Sequence, residues 1–241
     1  MNNVEESMAR LYAKLEGMPF DFAFLGGAVL ALLVTDKSAD AIRVTKDFDV
    51  MMNIRTRREY HAADAELEKR GFQHDTREDA PVCRWIVDDV TVDVLPIRED
   101  VLGWRSTWFE EALTAADTID LGNRHVRIVS APYFVALKLE AFEQRGRKDF
   151  LTSTDFEDVI CLFNGRDGIV EEILACERLR GVLSLKFKEY LTVLELEDAV
   201  DGFLQTETEP EVRKMRIFNA FRAIANIVDH SYGLALRRRR M

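Results

Sequence analysis

Three aspartates have the residue type and the spacing that metal-assisted chemistry requires. Asp47 and Asp49 lie one residue apart in the run Thr-Lys-Asp-Phe-Asp-Val-Met-Met, which is rich in strand-forming residues. Because side chains on a strand point alternately to its two faces, both carboxylates are expected on the same face. Asp93 lies between two valines in a second predicted strand and can add a third carboxylate to that face.

Three convergent carboxylates repel one another unless a cation lies between them. Aspartate is depleted in strands, and burying an unpaired carboxylate costs several kcal/mol. Mg²⁺ is a hard ion that proteins bind through one or two carboxylates together with substrate phosphates. Two such ions can activate an attacking oxygen and stabilise a leaving oxygen in phosphoryl-type transfer. The spacing therefore favours a magnesium site formed by Asp47, Asp49 and Asp93.

A pair of glycines earlier in the chain can bind phosphate. Gly26 and Gly27 follow the apolar run 21–25, a predicted strand, and precede the apolar run 28–33, a predicted helix. The N–H groups at the start of a helix, approached through residues without side chains, can surround a phosphate group. A glycine pair alone is more often a tight strand-to-helix turn, and a lone Asp-x-Asp is equally weak. Their combination with a later strand aspartate favours a nucleotide-and-metal site.

The elements that must position these residues indicate a mixed α/β module followed by a helical module. The patterns predict, in chain order, a helix over 4–17, a strand over 43–54, a helix over 57–71, a hairpin of 83–87 with 90–95 around Asp88-Asp89, and a hairpin over 117–129 around Gly122-Asn123. From Tyr133 onward there are four or five helical patterns, broken near 165–168 and 205–210. We therefore expect an α/β core over residues 1–130 and a helical domain over residues 131–241.

The composition is that of an acidic, folded protein. In 241 residues, apolar types make up 47% and charged types 32%, which excludes a disordered or collagen-like chain. The net charge of −10 argues against general polyanion binding, because that requires a broad basic surface. Neither a membrane helix nor a signal peptide is recognisable, so a cytoplasmic location without membrane partners is expected. Cys83, Cys161 and Cys176 are too few and too widely spaced for a disulfide framework or a zinc site.

The runs FLGGAVLALL, RVTKDFDVMM and VTVDVLP together resemble the core of the DNA-polymerase-β-like nucleotidyltransferase superfamily. The fuller pattern is closest to the AbiEii/AbiGii-type toxin nucleotidyltransferases, in which a Gly-Gly or Gly-Ser turn precedes an Arg-x-Thr-x-Asp-x-Asp strand. Arg43 and Thr45 match the first two positions of that strand and can orient the carboxylates that follow. The resemblance covers about residues 20–165. It implies an α+β fold, in which a mixed sheet with flanking helices is followed by a C-terminal helical module that closes the cleft.

The resemblance continues downstream of the sheet. The family's Lys-x-x-Ala-x-x-x-Arg element is matched by Lys138, Ala141 and Arg145, and its acidic motif by 147–149 together with 155–158. The resemblance implies that Lys138 neutralises a bound triphosphate. It also implies a nucleotide-binding role for Arg43, Thr45, Lys148 and Asp155. Two plainer interpretations stay open: Lys138 can lie at the edge of a packed helix, and the acids 155–158 can form the first turn of a helix capped by Ser153 or Thr154.

These patterns imply a metal-dependent nucleotidyltransferase that moves a nucleoside monophosphate from an NTP to an acceptor hydroxyl. Asp47 and Asp49 would hold two Mg²⁺, and Asp93 would complete one metal site and help to deprotonate the acceptor. The resemblance implies a toxin of a toxin–antitoxin or phage-defence system, with a cognate antitoxin, acting on tRNA 3′ ends or on a protein. Two alternatives stay open: a small-molecule, antibiotic-modifying nucleotidyltransferase, and a non-catalytic binding module on the same fold.

Two groups of arginines could contact an RNA backbone. Arg55, Arg57 and Arg58 directly follow the Asp-x-Asp strand, so they are expected close to the site. Residues 237–240 are four consecutive arginines, a pattern more typical of a solubilising chain end. The first group is therefore the better RNA-binding hypothesis.

Overall fold

The structure is a computed structural model that describes residues 3–36, 47–103, 106–144 and 149–227. The site predictions for Arg43, Thr45 and Lys148 lie outside these described residues, as do Arg145 and the arginines 237–240.

The secondary structure consists of seven strands and eleven helices in the described part of the chain. The strands are β1 (Phe22–Leu25), β2 (Asp47–Met52), β3 (Gln73–His74), β4 (Arg84–Val87), β5 (Val90–Pro96), β6 (Asp117–Leu121) and β7 (Arg124–Ile128). The helices are α1 (Asn3–Leu15), α2 (Gly27–Leu33), α3 (Arg57–Lys69), α4 (Glu99–Leu102), α5 (Phe109–Thr114), α6 (Ala131–Gln144), α7 (Thr154–Gly165), α8 (Ile169–Ala175), α9 (Arg180–Tyr190), α10 (Glu195–Leu204) and α11 (Pro210–Ala225).

The described strands form one mixed sheet in the order β3-β4-β5-β2-β1-β7-β6. The pairs β2–β5 and β1–β7 are parallel, and the other neighbours are antiparallel. Both predicted hairpins are present, because Val87 pairs with Val90 and Leu121 pairs with Arg124. The predicted fold class, α+β with a mixed sheet, flanking helices and a helical C-terminal part, is confirmed.

Strand alternation separates a buried face of the central sheet from a more open face. Phe48 and Val50 on β2 are buried, as are Val92 and Val94 on β5. The side chains between them point the other way, which places Asp47, Asp49 and Asp93 on the opposite face. Hydrophobic burial of the first set therefore fixes the direction in which the aspartates point.

Helix α3 begins directly after β2 because its first turn is capped. Thr56 Oγ1 accepts a hydrogen bond from the Glu59 N–H, and the Glu59 carboxylate accepts one from the Thr56 N–H. This capping box satisfies N–H groups that have no partner within the helix. Only four residues therefore separate the end of the Asp-x-Asp strand from the start of α3.

The described chain divides into two compact units. The first contains the sheet and comprises described residues within 3–33 and 47–137, and the second comprises those within 34–36 and 138–227. The division falls within α6, after Leu137, compared with the boundary predicted at residue 130. Residues 34–36 join the helical unit because the N–H groups of Thr35 and Asp36 donate to the Gly165 carbonyl.

The helical unit is built around aromatic side chains. Phe163, Phe187 and Phe221 pack with ring centroids 4.6–5.4 Å apart, and all three are buried. Six helices occur in the described part of residues 131–227, compared with four or five predicted. Helix α8 has only seven residues, which is too short for a helical period to stand out in the sequence. None of the described helices is long and apolar enough to cross a membrane.

Candidate functional site

A row of charged residues crosses three neighbouring strands of the sheet. Arg84 on β4 pairs in register with Asp93 on β5, and Asp93 pairs with Asp49 on β2. Asp47 lies one pleat repeat before Asp49, opposite Thr91. Residues that pair directly across strands have their side chains on the same face, about 5 Å apart at Cβ. The strand pairing therefore brings the three predicted aspartates together on one face, with an arginine at the end of the row.

Arg84 forms a two-pronged ion pair with Asp93. Its Nε donates to Oδ1 at 2.8 Å and its Nη2 donates to Oδ2 at 2.7 Å. The side chain of Arg84 is 28% exposed and that of Asp93 is 14% exposed. The hydrogen bonds to Asp93, together with the charges of Asp93 and Asp47, raise the pKa of the Arg84 guanidinium above its ordinary value. Both carboxylate oxygens of Asp93 therefore have a cationic partner.

Gly26 accommodates the carboxylate of Asp49. The residue has φ +77°, a backbone conformation that favours glycine, and a Cβ atom built onto it would lie 1.9 Å from Asp49 Oδ2. A side chain here would both strain the backbone and occupy the space of the carboxylate. Gly27 follows as the first residue of α2. The glycine turn and the Asp-x-Asp strand, predicted separately from the sequence, are thus in direct contact.

Cys83 is a buried thiol close enough to the aspartates to feel their charge. Burial, followed by the nearby charges of Asp93 and Asp49, raises the pKa of its thiol to about 12. The reactive form of cysteine is the thiolate, which is scarcely populated at neutral pH with such a pKa. Cys83 aligns with Val94 of the buried face, so its thiol does not belong to the face that carries the aspartates.

The aspartates have the chemistry that a hard cation requires, although the described residues contain no ready-made cluster. No group of three or more His, Cys, Asp or Glu side chains in the described ranges is arranged to hold a metal ion. Asp47 and Asp49 nevertheless present carboxylate oxygens on one face, and such oxygens are the preferred ligands of Mg²⁺. Asp93 is adjacent, but its oxygens are bound by Arg84. The carboxylates of Asp47 and Asp49 have the chemistry that Mg²⁺ requires, whereas Asp93 is held by Arg84.

Lys138, which belongs to the helical unit, is a buried cation between two carboxylates. Its Nζ lies 3.0 Å from Asp155 Oδ1 and 2.6 Å from Asp158 Oδ2. Burial by itself lowers the Lys138 pKa, but the charges of Asp158 and Asp155 outweigh burial and raise it above its ordinary value. The sequence analysis did not identify Asp155 and Asp158 as the partners of this lysine. Its proximity to a triphosphate stays a prediction.

The acids 155–158 also form the first turn of a helix, as one interpretation of the sequence held. Helix α7 begins at Thr154, and Ser153 caps it by accepting a hydrogen bond from the Phe156 N–H. Asp155 and Asp158 are buried although both are acidic residues. A buried carboxylate needs a charged partner, and Lys138 supplies it. Asp155 and Asp158 therefore lie in the first turn of α7 and also pair with Lys138.

Replacing Lys138 with methionine is expected to destabilise the protein by about 3–5 kcal/mol, because two buried carboxylates lose their cation. The Lys138 pKa is raised on folding, so the ion pairs stabilise fully below about pH 10 and are lost as the pH rises through the folded-state pKa. The difference between the wild type and Lys138→Met should therefore be constant from pH 7 to about pH 10 and shrink above it. Urea unfolding at several pH values measures it, and a difference that stays constant to the alkaline limit would contradict the assignment.

The arginines that follow β2 differ in their contacts and exposure. Arg55 is paired with Glu110, and its backbone N–H donates to Glu59. Arg57 and Arg58 are exposed in the first turn of α3. The RNA-binding hypothesis for this group therefore rests on Arg57 and Arg58.

The residues missed by sequence reasoning are Arg84 and Asp158. Asp158 was recognised only as part of an acidic motif, and Arg84 was not considered. A signal for Arg84 was present, because counting outward from the turn at Asp88-Asp89 aligns position 84 with position 93.

Comparison with known proteins identifies the fold. No protein-family model and no curated protein sequence matches the chain. Among solved structures, the chain is similar to an antigenic nucleotidyltransferase-like protein from Paracoccidioides brasiliensis, with 18% sequence identity and a TM-score of 0.50. The similarity covers 91% of this chain and 92% of that protein. At this identity the likeness bears on architecture alone, and the chain has a nucleotidyltransferase-like fold.

Proposed function

We propose that the protein is a metal-dependent nucleotidyltransferase, which moves a nucleoside monophosphate from an NTP to an acceptor hydroxyl. The observation that carries the proposal is the pairing of Asp49 with Asp93 in the sheet, with Asp47 one repeat away on the same face. The nucleotidyltransferase-like fold supports it, because folds of this kind are compatible with such a site. The contact between Gly26 and Asp49 adds support, since it joins the two motifs into one structure.

The three aspartates would have different roles in binding metal. Asp47 and Asp49 would bind Mg²⁺ through carboxylate oxygens that strand alternation points to the same side. Asp93 would complete one metal site and accept the proton of the acceptor hydroxyl. When bound, Mg²⁺ would neutralise phosphate charge and make the acceptor oxygen more acidic. The strand register places all three side chains on one face in advance, so no change of the sheet is needed when the substrate binds.

The nucleotide would be bound by the glycine turn, by Lys138 and by further residues that the resemblance implies. Gly26 and Gly27 would bring the backbone of the turn close to the triphosphate, with the Asp49 carboxylate packed against Gly26. Lys138 would contact the triphosphate through an ammonium that Asp155 and Asp158 hold in place. In the same proposal, further nucleotide contacts come from Arg43, Thr45 and Lys148. Transfer of a phosphoryl-type group requires positioning and charge compensation more than covalent chemistry from the protein, which suits this set of residues.

For the acceptor, we propose a tRNA 3′ end or a protein hydroxyl, as part of a toxin that a cognate antitoxin controls. The resemblance of the sequence motifs to AbiEii-type toxins is the support for this choice. A chain with a net charge of −10 must recognise RNA locally, because its average surface repels a polyanion. Arg57 and Arg58, exposed next to the end of β2, are the residues we propose for that contact.

The test is incubation with Mg²⁺ and each of the four NTPs labelled at the α-phosphate, in parallel reactions that contain total tRNA, total bacterial protein or an antibiotic. The expected result is transfer of label from one NTP to tRNA, with growth arrest when the protein is expressed in bacteria. Label on a protein would favour the protein acceptor, and label only on an added small molecule would favour the antibiotic-modifying alternative. Absence of transfer from every NTP to every acceptor would favour the non-catalytic alternative.

A further inference from the structure

Arg84 supplies a cation at the carboxylates that the proposed function assigns to metal ions. The guanidinium binds both oxygens of Asp93, at 2.8 and 2.7 Å. A carboxylate in this arrangement is already neutralised and has its strongest acceptor directions occupied. A metal ion at Asp93 would have to share the carboxylate with a second positive charge in direct contact with it.

The position of Arg84 is imposed by the fold, whereas its side chain can leave. The two-residue turn between β4 and β5 fixes the register, and that register places Arg84 directly opposite Asp93. The side chain is 28% exposed, so water is available to the guanidinium if the pair opens. Arginine also has a long, flexible stem that permits such a movement without any change in the strand.

An incoming nucleotide provides a second anion for the same guanidinium. The planar donors of arginine suit phosphate oxygens as well as carboxylate oxygens, and both can be bound in the two-pronged manner. The triphosphate of a substrate accompanies Mg²⁺ into the site. Mg²⁺, which competes with Arg84 for Asp93, therefore arrives together with the triphosphate, which can bind Arg84.

We propose that Arg84 exchanges Asp93 for the triphosphate when metal and nucleotide bind, which releases Asp93 to become a metal ligand. This inference rests on the proposed nucleotidyltransferase site. It assigns Arg84 two roles that a purely structural ion pair does not have. Arg84 weakens the binding of metal alone, and it couples the binding of metal to the binding of phosphate.

The test measures Mn²⁺ binding by electron paramagnetic resonance, with and without inorganic tripolyphosphate, for the wild type and Arg84→Gln. Without tripolyphosphate, Arg84→Gln is expected to bind Mn²⁺ about ten-fold more tightly than the wild type, within the usual range of coupling between sites. Tripolyphosphate should strengthen Mn²⁺ binding by the wild type, and should do so much less for Arg84→Gln. Arg84→Lys, which keeps the charge but loses the two-pronged geometry, should lie between them.

Three further variants separate this mechanism from a general loss of charge. Arg124→Gln is the matched control, because Arg124 lies on β7, is 30% exposed and pairs with Glu16 at 2.7 Å. It should leave Mn²⁺ binding unchanged. Asp93→Asn should weaken Mn²⁺ binding, and in the double variant Arg84→Gln/Asp93→Asn the gain from losing Arg84 should disappear. The double variant removes both charges, so it also controls for any unfolding caused by an unpaired Asp93.

The outcomes distinguish this inference from the proposed function. If the wild type binds Mn²⁺ and Asp49→Asn does not, while Arg84→Gln binds it no more tightly than the wild type, the role of Arg84 is wrong and the metal site stands. If Arg84→Gln binds more tightly but gains as much from tripolyphosphate as the wild type, the exchange to phosphate is wrong. If neither protein binds Mn²⁺, the proposed metal site is wrong and the inference fails with it.

Discussion

Gly26→Ala is expected to reduce nucleotide transfer by about 10²-fold or more, because catalytic geometry tolerates little displacement. The new Cβ would lie 1.9 Å from Asp49 Oδ2 and 2.8 Å from Asp49 Cγ, so the carboxylate must move away. The backbone would also be strained, since φ is +77° and an L-residue in this region costs about 1–2 kcal/mol. The carboxylate can rotate, so the loss of stability should remain close to the backbone cost while the loss of activity should be large.

Gly17→Ala provides a matched control for Gly26→Ala. Gly17 has φ +75°, almost the same backbone conformation, and a Cβ built onto it has nothing within 4 Å. This variant should lose about the same 1–2 kcal/mol of stability and keep wild-type transfer. Thermal melting and a transfer assay on the two variants measure both effects. Equal activity of Gly26→Ala and Gly17→Ala would show that the Asp49 carboxylate does not need its place against Gly26.

Asp49→Asn is expected to reduce transfer by about 10³-fold or more, since it removes charge where phosphate charge must be neutralised. Its unfolding free energy should stay within about 1 kcal/mol of the wild type, because asparagine fills the same space. Relief of repulsion between the aspartates would by itself leave the fold intact or make it more stable. The ion pair of Arg84 with Asp93 already compensates part of that repulsion, so the expected gain is smaller.

The measurement pairs transfer activity with thermal melting in the absence of metal, for Asp49→Asn and for Asp47→Asn. Asp120→Asn serves as the control, because Asp120 is an exposed aspartate on the edge strand β6. It should keep wild-type activity and stability. Wild-type transfer by Asp49→Asn would refute the metal-binding role. A melting temperature far below that of the wild type would instead make Asp49 a structural residue.

Local patterns in the sequence were sufficient to predict most of the elements that position the site. The alternation of Phe48 and Val50 with Asp47 and Asp49 predicted a strand with one acidic face, and β2 has that face. The parallel pairing of β2 with β5, in contrast, could not be predicted from local patterns. It joins residues more than forty positions apart, and strand alternation carries no information about which strands become neighbours. The local pattern therefore indicated only that Asp93 could join the face of Asp47 and Asp49, and the resemblance added the expectation that it does.

The contacts made by individual side chains were harder to predict. Lys138 was recognised as unusual among apolar neighbours, but its partners lie on the next helix, and their direction depends on where α7 begins. The space beneath Asp49 depends on the backbone of Gly26, which only the folded turn defines. Arg84 is the exception among the missed residues. The predicted hairpin was sufficient to place Arg84 opposite Asp93, because a two-residue turn determines which residues of the two strands pair.

The most direct test of the central claim follows the two ends of the triphosphate separately. The wild-type protein is incubated with Mg²⁺, total tRNA and each NTP, labelled in one reaction at the α-phosphate and in a parallel reaction at the γ-phosphate. A nucleotidyltransferase breaks the bond between the α- and β-phosphates, so the α-label should appear on the acceptor and the γ-label in pyrophosphate. Appearance of the γ-label on the acceptor, or transfer of neither label from any NTP, would contradict nucleotidyl transfer by the face that carries Asp47, Asp49 and Asp93.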